Sequence, residues 1–338
     1  MKLPEANNRK STYTFLILLI MTLVVIVLGI EIMRHFNKYQ ADQTTAANMM
    51  PGKPSASYPR ELRDGSGEIF TIKSPPQRIV SETLGTDEIL LAICPTDRII
   101  GLSSLALNES YSNVAEQART TAAEIVHEPE QILRLEPDLI FVASYSRAEV
   151  VELLKTAQAP VFRFSNFDRI EDIKSNIRTL GYVIGEDARA EALIAQMDRE
   201  IKAVQARIPT NSRRFRVMSY GIQGYTTGAN TTFDDIVNKV GAINVSAQQG
   251  IKGFQKISTE QIATWQPDFI VTGAENGKAE EVRRRLLADP AIASSQAGRA
   301  GRIIVIDNRY FLTVSHHVVR SIETLAEGLY SNKLEATK

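Results

Sequence analysis

The side chains most able to do chemistry in this chain fall where strands are expected to end. Thr83 follows the apolar run Arg78–Ser81, and Tyr145 and Arg147 follow Leu139–Ala143. Tyr225 and Thr227 follow Phe215–Tyr220, and Arg309 and Tyr310 follow Arg302–Ile306. In open parallel sheets ligands bind beyond the carboxyl ends of strands. Aromatic faces with a few cations suit a flat or apolar anionic ligand, with tyrosines stacking, arginines neutralising and threonines hydrogen-bonding. Signals for catalysis are missing: there is no Gly-x-Ser-x-Gly elbow, Walker loop or His-Glu-x-x-His. The glycines at 221, 224 and 228 fit no nucleotide fingerprint and read as tight turns. His316 and His317 are adjacent, so on a helix they point about 100° apart and make no i, i+4 metal face. His316 is the one placed to reach the cleft as a metal ligand, but core or cap roles come first for both. No resident cofactor and no metal site is expected.

The elements that must position these residues alternate between strands and helices. That pattern implies an α/β fold with mostly parallel sheets flanked by helices. At its middle, Ile170, Ile173, Ile177, Leu180 and Ile184 lie on one helical face. Asp168 and Glu171 resemble a capping box, and Gly185 suits the helix stop. A second helix from Glu186 to Ile208 would span roughly 35 Å at 1.5 Å per residue.

On either side of this connector stands a repeat. Glu130-Gln131-Ile132 leads to Pro137-Asp138 and an apolar strand, and Glu260-Gln261-Ile262 leads to Pro267-Asp268 and another. The shared spacing predicts two equivalent lobes joined by a helical bridge.

Lys+Arg and Asp+Glu both number 39 in 338 residues. With no basic run interleaved with aromatics, nothing points to nucleic acid. The single Cys94 rules out an internal disulfide and sits in an apolar helical run as a core residue. Residues 14–33 form an apolar block long enough for a bilayer, read as an uncleaved transmembrane anchor over a cleaved signal peptide. No cysteine follows it closely, so a lipidated anchor is not expected. The expected layout is a cytoplasmic 1–13, an anchor 14–33, a flexible linker 34–66, an N-terminal lobe 67–166, a bridge 167–209, a C-terminal lobe 210–331 and a tail 332–338. The main domain then lies outside the cytoplasm.

Across roughly residues 68–331 the chain resembles the substrate-binding proteins of ABC importers for iron-siderophores, haem and cobalamin. Pro76-Gln77-Arg78-Ile79-Val80-Ser81, both Glu-Gln-Ile…Pro-Asp units and Asn176–Gly181 carry the resemblance. It implies two lobes bridged by a long helix, a ligand clamped between them, and no catalysed reaction. It further implies that Glu130 and Glu260 dock, one from each lobe, onto the permease dimer that works with its ATPase. Charge pairs of that kind set register. The expected ligand is a metal chelate, first a ferric siderophore, with cobalamin or haem as the alternative. A tethered enzyme or a ligand sensor on the same fold is the more distant reading.

Overall fold

The computed structural model describes residues 57–210 and 213–334. The expected anchor at 14–33 lies outside them. Among the described residues no helix is long and apolar enough to cross a membrane.

The N-terminal lobe opens with an antiparallel hairpin, β1 (Arg60–Arg63) and β2 (Ile69–Ile72). Its sheet has five parallel strands in the order β5-β4-β3-β6-β7. These are β3 (Ile79–Ser81), β4 (Ile99–Ser103), β5 (Glu124–Val126), β6 (Leu139–Ala143) and β7 (Val161–Phe164). All five residues of β6 are buried, as expected for a central strand covered on both faces. Helices α1 (Leu84–Ile93), α2 (Pro129–Arg134) and α3 (Ala148–Thr156) make the crossovers.

The chain then enters α4 (Ile170–Ile184) and α5 (Asp187–Arg207). The apolar face read from the sequence is buried: Ile170, Ile173, Ile177, Leu180 and Ile184 are all fully enclosed. The start of α4 differs from expectation by one residue, because Asp172 Oδ2 accepts from Arg169 N at 2.9 Å. Asp168 is left outside the helix. Gly185 closes α4 at φ +81°, where an L side chain is strained, and a Cβ there would lie 2.7 Å from the Tyr58 hydroxyl. Gly185→Ala is expected to cost about 1–2 kcal/mol in chemical denaturation. An unchanged denaturation midpoint would contradict that.

The C-terminal lobe carries a four-stranded parallel sheet in the order β10-β8-β12-β13. Its strands are β8 (Arg216–Ser219), β10 (Ile243–Asn244), β12 (Phe269–Ala274) and β13 (Ile303–Asp307). An antiparallel ribbon of β9 (Tyr225–Thr227) and β11 (Phe254–Lys256) stands beside it. Helices α6 (Thr232–Lys239), α7 (Thr259–Trp265), α8 (Ala279–Leu287) and α9 (Val319–Leu334) complete the lobe.

The repeat has a structural basis in both lobes. Gln131 Oε1 accepts from the Glu128 backbone N–H at 3.2 Å, and Gln261 Oε1 from that of Ser258 at 3.0 Å, so each glutamine caps its helix. Ile132 and Ile262 are buried beneath these helices. Asp138 accepts from Gln77 N at 2.7 Å and Arg78 N at 2.9 Å, and Asp268 from Arg216 N at 2.9 Å. Each aspartate thus fixes the start of the neighbouring strand. Glu130 and Glu260 remain exposed at the helix starts.

The bridge is also stapled directly to the C-terminal lobe. Ile170 N, at the start of α4, donates to Asp235 Oδ2 of α6 at 2.9 Å, and Thr232 Oγ1 donates to Phe167 O at 2.5 Å. Cys94 is buried, which pushes its thiol up to about 11, so it is an inert core residue.

Candidate functional site: an apolar cleft between the lobes

Each sheet reverses its winding once. In the N-terminal lobe the reversal lies between β3 and β6, and in the C-terminal lobe between β8 and β12. Such reversals open a crevice beyond the strand ends. A cavity of about 790 Å³ lies there, lined by residues 82–85 after β3, 145–147 after β6 and 219–221 after β8. The β9–β11 ribbon contributes Tyr225, Thr226, Thr227 and Phe254, and the segment 311–314 also lines it. The ribbon can approach so closely because Gly228 has no side chain. A Cβ there would meet Ile251 O at 2.0 Å.

The walls are mostly aromatic and aliphatic. Tyr111, Tyr145, Phe167, Tyr220, Tyr225, Phe233, Phe254 and Phe311 all line the cavity. Phe254 is 77% exposed, Tyr145 55% and Tyr225 48%. Exposed rings around a concave site are surfaces awaiting an apolar partner. Tyr145 packs on Phe167 with ring centroids 5.0 Å apart. Its hydroxyl is buried against Thr83, and burial pushes it up to about 12. Among the described lining residues the charged ones are Glu82, Arg147 and Asp168, and there is no histidine.

Five of the seven residues expected to face ligand do line the cavity: Thr83, Tyr145, Arg147, Tyr225 and Thr227. Arg309 and Tyr310 do not. Asp307, two residues earlier, captures the Arg309 guanidinium with bonds of 3.0 Å and 2.8 Å. The chain from Asn308 to Phe311 turns into a short helix, which leaves Tyr310 packed on the core and sends Phe311 to the cavity instead.

His316 lies outside the lining. Its ring stacks on His317 at 4.0 Å, and burial lowers its pKa to about 3. Among the described residues no group of three or more His, Cys, Asp or Glu is placed to hold a metal. His127 is exposed in its loop, and Trp265 packs on the C-terminal core.

Sequence reasoning missed Glu82, Asp168, Phe167 and Phe254. Glu82 stood at a strand end beside Thr83, and Asp168 was read as a helix cap. Phe254 carried no local signal, because β11 pairs with β9 across 27 residues or more of chain.

Beneath the cavity floor lies a buried polar joint. Glu88 of α1 accepts from Thr313 Oγ1 at 2.8 Å, from Ser315 Oγ, and from Asn113 N at 3.0 Å and Nδ2 at 2.8 Å. Asn113 Nδ2 also donates to Arg309 O at 2.7 Å. This joint ties the N-terminal lobe to the 309–315 segment that floors the cleft.

A two-lobed α/β architecture with its cleft at both switch points defines a binding protein of the bilobal class. The chain belongs to the periplasmic binding protein family, whose model matches residues 79–310. It is 23% identical over 285 residues to a cobalamin-binding protein of Halobacterium salinarum, covering 83% of this chain and 76% of that protein. It is 25% identical over 281 residues to YvrC of Bacillus subtilis, described as an uncharacterized ABC transporter substrate-binding lipoprotein, covering 81% of this chain and 86% of YvrC. A periplasmic binding protein from Veillonella parvula superposes with a TM-score of 0.70 at 21% identity, covering 80% of this chain and 97% of that one.

Proposed function

We propose that this chain is the extracytoplasmic substrate-binding protein of an ABC importer and captures a large metal chelate between its lobes. It catalyses no reaction. The observation that carries this reading is the aromatic cavity of about 790 Å³ at the switch points of both sheets. Its size is within the range of small-molecule sites, and its walls favour broad apolar faces. A macrocyclic chelate, corrinoid before porphyrin, suits these walls better than the ferric siderophore favoured by sequence alone. With Arg309 bound to Asp307, Arg147 is the one cation left among the described lining residues to neutralise an anionic chelate. The relative named as a cobalamin-binding protein supports the corrinoid choice.

Glu130 and Glu260 would present the loaded lobes to the permease dimer, and residues 14–33 would hold the domain at the membrane. Both glutamates are exposed at matching helix starts, which suits contacts to a two-fold symmetric partner.

The test is calorimetric titration of the full-length chain with cyanocobalamin, haemin and a ferric trihydroxamate. One-to-one binding of a macrocyclic chelate is expected. The double substitution Tyr225→Ala with Phe254→Ala is expected to weaken binding roughly tenfold or more, because two exposed faces lose their stacking partners. The reading fails if no chelate binds, or if the double variant binds unchanged.

A further inference from the structure

We propose that Glu82 and Asp168 are specificity residues that make the cleft select chelates with an uncharged, N–H-donating rim, a carboxamide rim over a carboxylate rim. The inference rests on the chelate reading above and names the rim chemistry that this site accepts.

The charge at the wall is the first support. Arg147 acts on Glu82 and Arg169 on Asp168, and the Arg147 guanidinium lies 3.4 Å from a carboxylate of its own, Glu128. A ligand carboxylate entering this cleft meets two like charges and a cation already paired. Like charges in a partly desolvated site repel more strongly than in water.

The second support is which polar groups have capacity left. Ser219 Oγ bonds to Thr227 Oγ1 and accepts from Thr227 N at 2.8 Å, while Thr226 Oγ1 donates to Ser219 O at 2.7 Å. Thr83 Oγ1 is bonded to Thr86 Oγ1 at 2.8 Å. These hydroxyls are engaged in holding the wall together. Glu82 accepts a hydrogen bond from the Ser146 hydroxyl, yet a carboxylate has about four acceptor positions. Glu82 therefore keeps acceptor positions open at the surface the ligand meets.

The third support is electrostatic. Burial raises the pKa of Glu82, and partial burial raises that of Asp168. The fold supplies these carboxylates with less stabilisation than water does. An incoming amide N–H would make up the deficit, and an incoming carboxylate would deepen it.

A matched pair of probes isolates the rim: haemin, and haemin with both propionates converted to carboxamides. The wild-type full-length chain is expected to bind the bis-amide at least roughly tenfold more tightly than haemin near pH 7.5. In the Glu82→Gln, Asp168→Asn double variant the ratio is expected to approach one, mainly through a gain in haemin affinity. Retained bis-amide binding shows that the variant is folded. Asp168→Asn alone, at the exposed rim, should move the ratio part of the way. Haemin binding as tightly as the bis-amide, or a ratio unchanged in the double variant, overturns the inference and leaves the chelate reading standing. Failure of both probes, of cyanocobalamin and of the ferric trihydroxamate to bind overturns the chelate reading and this inference with it.

Discussion

Glu88→Ala is expected to destabilise the protein by about 3–5 kcal/mol, because two buried hydroxyls and the half-buried Asn113 lose a shared acceptor at once. Thr313, Ser315 and Asn113 all donate to this carboxylate, and the two hydroxyls are buried away from water. The loss should appear as a melting temperature lowered by on the order of 10 °C. It should also weaken ligand binding, since residues 313 and 314 line the cavity. Glu88→Gln keeps one acceptor oxygen but points an amide donor at other donors, so an intermediate loss is expected. Denaturant titration of both variants measures this. A loss below about 1 kcal/mol for Glu88→Ala would show that the joint contributes little beyond packing.

His316→Gln is expected to be more acid-resistant than the wild type, with a relative gain of about 3 kcal/mol between pH 7 and pH 4. Burial holds the His316 pKa at about 3, against an ordinary value of 6.5. A folded-state pKa depressed in this way means that stability is present above about pH 6.5. It is lost as pH falls, because the unfolded chain takes up the proton first. His317, stacked on it, is also lowered by burial, with Arg320 acting in the same sense and Glu88 and Glu200 opposing. Asp87 works in the opposite direction. Burial raises its pKa to about 7, so its folded form gains relative stability as pH drops from 7 towards 3.8. The wild-type curve is therefore flattened, and the informative quantity is the difference between wild type and variant. Parallel stability curves from pH 7 to pH 4 would contradict the assignment.

The lobes and the bridge were legible because their signals are local. The Ile170–Ile184 stripe, the Gly185 stop and the capping glutamines of the repeat all act within one or two helical turns. Cleft residues were legible where they immediately follow a parallel strand, as Tyr145 and Arg147 follow β6. Arg309 was misjudged because a strand-end position says nothing about a nearby acid, and Asp307 binds the guanidinium before a ligand can. Phe254 and the Glu88 joint were invisible for a different reason. Their partners lie 27 and 225–227 residues away, so only the folded chain brings them together. In the sequence Glu88 passes for an ordinary acid near a helix start, yet it is fully buried between the lobes.

The central claim is that this cleft carries a metal chelate. The most direct test is native mass spectrometry, with an absorption spectrum, on the full-length chain purified from its own host. One bound macrocyclic chelate per chain is expected, released on denaturation and carrying its metal. A colourless chain with no bound species, which also takes up neither cyanocobalamin nor haemin when offered, would contradict it.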